Sequence, residues 1–185
     1  MALTYSNMLP LNSNAPEFKL FDTISGKEKS LETLKGISGT VIAFICNHCP
    51  YVIHINSTLV KISNNYKSKG INFIAISSND IEQYPEDSPE KMKINANLNN
   101  FNFPYLFDKD QQVAKIYDAA CTPDIYLFNK SLQLIYRGQI DNSRPENGIE
   151  VNGEDLINAI DCLLNNTMNS RTQKPSMGCN IKWKN

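Results

Sequence analysis

The middle of the chain alternates between apolar runs and an amphipathic stretch, and this alternation restricts the possible fold most. Residues 41–45 and 71–76 are short and almost wholly apolar, as expected of strands that are buried on both faces of a sheet. Between these runs, apolar side chains recur at helical spacing, at Val52, Ile55, Leu59, Ile62 and Tyr66. Two buried strands joined by a helix predict parallel pairing and an α/β fold.

The flanking segments extend the predicted order to hairpin, β, α, β, α, α, β, β, α. Residues 18–21, followed by a turn at Ser25-Gly26, predict an N-terminal β-hairpin. The remaining predicted elements are helices after Ser88, from Asp110 to Ala119 and from Glu154 to Asn165, and strands at 125–128 and 132–137. We therefore predict a central mixed β-sheet flanked by helices. Residues 171–185 lack helical or strand periodicity, so we expect one domain at 1–170 and a C-terminal tail at 171–185 that carries Cys179.

The composition limits the partners and the cellular compartment. A chain of 185 residues with a net charge of −1 gives no reason to expect nucleic acid or a membrane as a partner. Residues 1–10 lack the cationic and apolar regions of a signal peptide, so we expect a cytoplasmic protein. Permanent disulfides are rare in that compartment. Five cysteines with a single close pair therefore indicate a catalytic or metal-binding role for that pair.

The close pair, Cys46 and Cys49, lies where the first buried strand meets the amphipathic helix. This junction predicts that Cys46 occupies the helix N-terminus, where a thiolate is favoured, and that Cys49 lies one turn further on. Cys46 is then the attacking thiol and Cys49 the resolving thiol. His48, between them, is either a cation that stabilises the thiolate or a spacer that faces solvent.

A second notable segment, around Thr122-Pro123, comes just before a predicted strand. Proline at such a position often marks a special turn and is commonly cis. Cys121 is either a redox residue near the pair or a small buried side chain. Cys179 is either a third thiol that a flexible tail brings to the pair or an exposed bystander.

Several separate segments resemble the thioredoxin superfamily, and among its members the AhpC/TSA-like, redoxin-type proteins. The resembling segments include Ala15-Pro16-Glu17-Phe18, Cys46-Asn47-His48-Cys49-Pro50, Ser77-Ser78-Asn79-Asp80, Tyr84-Pro85-Glu86-Asp87-Ser88-Pro89, Tyr136-Arg137-Gly138-Gln139 and Pro175-Ser176-Met177-Gly178-Cys179. The resemblance implies a thioredoxin-like fold in which Pro123 is a cis-proline that lies against the cysteine pair. It also implies that Thr122 and Pro123 form the edge at which a thiol substrate pairs.

The chain departs from related patterns in two places. The proline and hydroxyl residue that precede the peroxide-reducing cysteine of peroxiredoxins are missing from 41–45, and Ala43 stands three residues before Cys46. The buried acid that many thioredoxins carry in the preceding strand is also missing from 40–45. A proton acceptor for Cys49 therefore cannot be assigned from the sequence.

The expected function is thiol–disulfide exchange by Cys46 and Cys49 in antioxidant defence or redox homeostasis, without a cofactor. The expected partners are protein or small-molecule disulfides and an electron donor that the sequence does not identify. Thiol-dependent peroxide reduction is an alternative within the same class. A different class is a soft-metal module, in which Cys46, Cys49 and His48 bind Zn or Cu with help from Cys121 or Cys179. An adaptor with vestigial cysteines is disfavoured because the pair and the proline are both present.

Overall fold

A computed structural model describes residues 3–184. Its strands are β1 (Leu3–Tyr5), β2 (Lys19–Asp22), β3 (Lys27–Ser30), β4 (Gly39–Phe44), β5 (Ile71–Ser77), β6 (Tyr105–Phe107), β7 (Cys121–Thr122), β8 (Asp124–Asn129), β9 (Leu134–Gly138) and β10 (Met177–Asn180). Its helices are α1 (Leu31–Leu34), α2 (Pro50–Lys67), α3 (Pro89–Leu98), α4 (Gln112–Ile116) and α5 (Glu154–Leu164), with a short 3-10 turn at Pro85–Asp87. No helix in this range is long and apolar enough to cross a membrane.

The predicted mixed sheet and N-terminal hairpin are confirmed. Seven strands form the main sheet in the order β3-β2-β6-β5-β4-β8-β9. The central strand β4 runs parallel to β5 and antiparallel to β8, and all six of its residues are buried. The hairpin consists of β2 and β3, which pair antiparallel. The continuous apolar runs therefore correspond to strands covered on both faces.

Helix α2 packs its apolar stripe against one face of this sheet. The predicted stripe residues are all buried: Val52, Ile55, Leu59, Ile62 and Tyr66. They share one apolar cluster with residues of α3 and α5, and this cluster also contains Cys46 and Cys49. The other face of the sheet is covered by residues of α1 and α4. The cysteine pair is thus part of the core beneath α2.

Several short elements differ from the prediction. Helix α4 spans Gln112–Ile116 rather than Asp110 to Ala119, because Gln111 and Asp118 at its two ends adopt positive φ angles of 62° and 51°. Strands β1, β6 and β7 and helix α1 have two to four residues each and were not predicted. Such lengths are too short for a periodic pattern to show.

The expectation of a C-terminal tail without a helix or strand is wrong for residues 177–180, whereas 171–176 and 181–184 form neither. Met177–Asn180 forms β10, the middle strand of a second sheet with the order β1-β10-β7. Cys179 and Ile181 are buried in the two apolar clusters on opposite faces of the main sheet. The strand pairs only with short segments far away in the sequence, so local periodicity could not reveal it. The division of the chain at residue 170 stays a prediction, and Asn185 lies outside the described residues.

Candidate active site

Helix α2 begins later than the sequence predicted. Its first residue is Pro50 and its N-cap is Cys49, because proline at the first helical position suits a helix start. Cys46 lies in the irregular segment between β4 and the helix. The prediction that Cys46 occupies the helix N-terminus, with Cys49 one turn later, is therefore wrong. The position that favours a thiolate belongs to Cys49.

The two sulfur atoms both lie against Thr122. Cys46 and Cys49 are buried, and the side chain of each shifts the pKa of the other. Cys46 Sγ lies 3.4 Å from the Thr122 hydroxyl oxygen, and Cys49 Sγ lies 3.1 Å from the Thr122 carbonyl oxygen. The Thr122–Pro123 peptide bond is cis. The hydroxyl partner that residues 41–45 do not supply to Cys46 thus comes from β7.

A third sulfur completes this cluster. Cys179 Sγ lies 2.8 Å from Cys49 Sγ. The backbone of Cys179 is in register with Thr122 through the pairing of β10 with β7. The edge at which the resemblance places a substrate is therefore occupied by the chain's own strand β10. The structure brings together Cys46, Cys49, Thr122 and Cys179.

The surroundings shift the pKa values of the two thiols in opposite directions. The Cys46 thiol is the largest influence that lowers the pKa of Cys49, and with the Cys179 thiol and the Val52 N–H it brings that pKa to about 5. The pKa of Cys46 is raised by its interaction with the Cys49 side chain, by burial and by the negative charge of Asp87. The thiolate therefore resides on Cys49, and the Thr122 carbonyl accepts a hydrogen bond only when Cys49 is protonated.

Asp87 is a buried acid that the sequence analysis missed. Its Oδ1 accepts the backbone N–H of Asn47 at 2.8 Å, and its Oδ2 accepts the amide of Asn79 at 2.7 Å. The side chain is fully buried. Asp87 lies within one of the segments that carry the family resemblance, but no periodicity indicated that the 3-10 turn would direct it inward. Asp87, which follows β5, thus provides the buried acid that β4 lacks.

His48 contacts this acid. Its Nδ1 lies 2.9 Å from Oδ2 of Asp87, and its ring stacks on Tyr84 with centroids 5.7 Å apart and planes 5° from parallel. Contact with Asp87 raises the pKa of His48 despite partial desolvation. The side chain is only 19% exposed, so the description of His48 as a solvent-facing spacer does not fit. Its effect on the thiolate stays a prediction.

Cys121 does not make the contacts of the three clustered cysteines, Cys46, Cys49 and Cys179. Its Sγ lies 3.5 Å from the Pro123 carbonyl oxygen. Side chains alternate along a strand, so Cys121 points away from the face on which Thr122 meets Cys46. Burial, and next the negative charge of Asp124, raise the pKa of the Cys121 thiol. This position suits a small buried residue, and a redox role for Cys121 remains untested.

A buried ion pair anchors the strand that follows Pro123. Arg137 Nη2 lies 3.1 Å from Asp124 Oδ2, and neither side chain is exposed. The same nitrogen donates to the Asp118 carbonyl at 2.6 Å, and Asp124 accepts the Ala120 N–H at 3.2 Å. Burial raises the pKa of Asp124 to about 6, although Arg137 opposes the shift. These bonds hold the segment on both sides of the cis-proline.

Cys46 and two neighbouring side chains have the donor types of a metal site. Cys46 Sγ, a His48 ring nitrogen and an Asp87 carboxylate oxygen lie within 4.8 Å of one another. Thiolate, imidazole and carboxylate together are ligands that suit Zn²⁺. The carboxylate was not in the predicted ligand set, and this group does not include Cys49, Cys121 or Cys179.

The chain is similar to a known protein family and to solved structures. The model of the AhpC/TSA family matches residues 11–137. A conserved protein of Geobacillus kaustophilus, described as uncharacterized, shares 54% identity and a TM-score of 0.97, over 100% of this chain and 97% of that one. A hypothetical protein from Sinorhizobium meliloti 1021 shares 41% identity and a TM-score of 0.95, with 98% of each chain covered. A search of curated proteins gave no match.

A more distant structure identifies the fold. The thioredoxin domain of a thiol-disulfide oxidoreductase from Bacteroides vulgatus superposes with a TM-score of 0.67 at 21% identity, over 85% of this chain and 99% of that domain. At this identity the likeness concerns the fold alone. The expected thioredoxin-like fold is thereby confirmed. Because the family model covers most of the chain, this protein belongs to the AhpC/TSA family and has a thioredoxin-like fold.

Proposed function

We propose that this protein is a thiol–disulfide oxidoreductase whose redox centre is Cys46 and Cys49. The observation that carries the proposal is that both sulfurs lie against the same residue, Thr122, beside the cis-proline: Cys46 Sγ is 3.4 Å from its hydroxyl oxygen and Cys49 Sγ is 3.1 Å from its carbonyl oxygen. Two thiols held against one residue can form a disulfide without large backbone movement. The distant structural neighbour described as a thiol-disulfide oxidoreductase supports the same class of activity. We further propose that it acts in redox homeostasis in a reducing, cytoplasmic compartment.

In the first step, Cys46 attacks a substrate disulfide. The Cys49 thiolate accepts the Cys46 proton as the new bond to Cys46 Sγ forms. The departing substrate thiolate takes a proton from solvent. This order uses the charge distribution of the site, because a sulfur of higher pKa is the stronger nucleophile once it is deprotonated. Cys49 therefore acts first as a base.

In the second step, Cys49 resolves the mixed disulfide. Its sulfur attacks Cys46 Sγ, the Cys46–Cys49 bond forms, and the second substrate thiol leaves with the Cys49 proton. The substrate disulfide is reduced by two electrons and the cysteine pair is oxidised. Both sulfurs are buried, so a substrate reaches Cys46 when the half-buried Asn47-His48 segment opens. Thr122 and Pro123 shape the wall on the other side.

The test is insulin reduction by the full-length protein with a dithiol as electron donor. Cys46→Ser and Cys49→Ser are each expected to abolish multiple turnover, and Cys162→Ser is the matched cysteine control. Only Cys49→Ser should accumulate a mixed disulfide on Cys46, which forms more slowly because this variant lacks the base and which mass spectrometry can identify. Multiple turnover at the wild-type rate in Cys46→Ser would refute the proposal.

Metal binding is a second candidate, favoured by the grouping of Cys46, His48 and Asp87. Against it, both Asp87 oxygens already accept hydrogen bonds from Asn47 and Asn79. The discriminating measurement is the zinc and copper content of reduced protein purified without chelators. One equivalent of metal in the wild type and none in Asp87→Asn would favour this function. Less than about a tenth of an equivalent would exclude it at the affinities typical of structural zinc.

A further inference from the structure

Cys179 is held in place by the strand that carries it. Ser176 and Ser6 exchange two hydrogen bonds of 2.9 Å before the strand, and Lys182 N donates to Asn79 Oδ1 at 2.9 Å after it. Within β10, Gly178 lies so close to β7 that an added Cβ would be 2.0 Å from the Thr122 carbonyl oxygen. The thiol therefore reaches Cys49 from a fixed strand and not from a swinging tail.

Cys49 interacts with two other thiols. Its Sγ lies 2.8 Å from Cys179 Sγ, and the Cys46 side chain is the largest influence on its pKa. The Cys179 residue is 5% exposed, so a substrate in solution does not reach this thiol directly. A buried thiol in contact with one member of a redox pair has that member as its natural exchange partner.

We propose that Cys179 is a third redox residue, which exchanges with the Cys46–Cys49 disulfide and takes Cys49 as its partner. This inference rests on the proposed function of the pair. The Cys179 sulfur attacks Cys49 Sγ, the Cys49–Cys179 bond forms, and the Cys46–Cys49 bond breaks. The proton of Cys179 passes to the departing Cys46 sulfur. No electrons enter or leave, because one disulfide replaces another.

The exchange has a consequence for the cycle. After the exchange, the disulfide joins the buried Cys49 and Cys179, and Cys46 is again a free thiol beside Asn47 and His48. Burial is the first cause that raises the pKa of Cys179 and its contact with Cys49 is the second. The second cause weakens when Cys49 is in a disulfide, because the Cys49 sulfur then carries no charge. Oxidation of the pair thus removes one of the causes that raise the pKa of Cys179.

The test oxidises full-length protein with less than one equivalent of glutathione disulfide, followed by acid quenching, N-ethylmaleimide blocking and digestion with trypsin without reduction. Trypsin leaves Cys46 and Cys49 on peptide 36–61 and Cys179 on peptide 172–182. The Cys49–Cys179 bond therefore joins two peptides that the Cys46–Cys49 bond leaves separate, and fragmentation identifies the joined cysteines.

We expect the joined peptides in about a tenth or more of the oxidised wild type, and as the main disulfide in Cys46→Ser. Insulin reduction by Cys179→Ala should slow several-fold, with Cys162→Ala at the wild-type rate. A Cys46–Cys49 bond without joined peptides would overturn this inference and leave the proposed function standing, even if Cys179→Ala were slower. Joined peptides with wild-type turnover in Cys179→Ala would also overturn it. Loss of the Cys46–Cys49 bond itself, with full activity in Cys46→Ser, would instead refute the proposed function.

Discussion

Nδ1 of His48 lies 2.9 Å from Oδ2 of Asp87, so that an imidazole only 19% exposed faces a fully buried carboxylate beside Cys46. The two charges oppose each other in their effect on the Cys46 thiolate. Asp87 raises the pKa of Cys46, and a protonated His48 offsets part of that charge. The reactivity of Cys46 is therefore expected to respond in opposite directions to changes at these two residues.

Replacement Asp87→Asn is expected to increase alkylation of Cys46. Removal of the buried negative charge lowers the pKa of Cys46, and a change of one pKa unit corresponds to a roughly tenfold gain in thiolate at neutral pH. The measurement is the rate of iodoacetamide modification at Cys46, resolved by peptide mapping between pH 6 and 9. Glu86→Gln is the control, because this acid lies 3.7 Å from His48 and is about half exposed. An equal effect of both variants would contradict the special role of Asp87.

Replacement His48→Asn is expected to make the pair more reducing. A protonated His48 stabilises the negative charge of the reduced pair, so its loss destabilises the reduced state and lowers the reduction potential. For a two-electron couple about 30 mV corresponds to ~1.4 kcal/mol, so even a partial loss is measurable by equilibration with glutathione. An unchanged potential would mean that His48 does not influence the redox pair.

The same histidine predicts a pH dependence of stability. The pKa of His48 is raised in the folded state, so its stabilising contribution is complete below the unfolded pKa of about 6.5. The contribution is lost as the pH rises through the folded pKa. The midpoint of urea unfolding should therefore fall more for the wild type than for His48→Asn as the pH rises from 6 toward 8.5. Parallel curves for the two proteins would contradict this prediction.

Replacement Thr122→Val tests the hydroxyl group beside Cys46. The side chain keeps its shape but loses the contact of 3.4 Å, which lowers the pKa of Cys46. At about 1 kcal/mol for a hydrogen bond, alkylation of Cys46 at neutral pH should slow roughly fivefold. Thr122→Ser retains the hydroxyl and should recover most of the wild-type rate. If Thr122→Ser alkylates as slowly as Thr122→Val, the slower rate comes from altered packing and not from the lost hydroxyl.

Much of the framework of the site could be predicted from the sequence, because long periodic elements determine it. The strand at 41–45 and the apolar stripe from Val52 to Tyr66 place the cysteine pair beneath α2. The proline before β8 indicates the segment that packs beside the pair. The start of α2 at Pro50 was not predicted, although proline at a first helical turn is itself a sequence signal. The buried roles of Asp87 and Cys179 depend on contacts with remote residues, such as Asn79 and Thr122, which no local pattern contains.

Replacement Gly178→Ala, finally, is expected to separate β10 from β7. The new Cβ would lie 2.0 Å from the Thr122 carbonyl oxygen and 3.1 Å from Pro123 Cδ. Backbone atoms of a paired strand cannot move aside cheaply, so overpacking should cost about 1–3 kcal/mol of unfolding free energy. The local consequence is an exposed Cys179, measured as faster N-ethylmaleimide labelling of native protein.

Gly148→Ala provides a matched control for that variant. An alanine there adopts a φ of +72° but meets no atom within 4 Å, so it costs roughly 1 kcal/mol without a clash. Its Cys179 should remain as protected as in the wild type, because nothing disturbs β10. Faster labelling in both variants would reflect general destabilisation. Faster labelling in Gly178→Ala alone would show that the close approach of β10 to Thr122 keeps the third thiol beside Cys49.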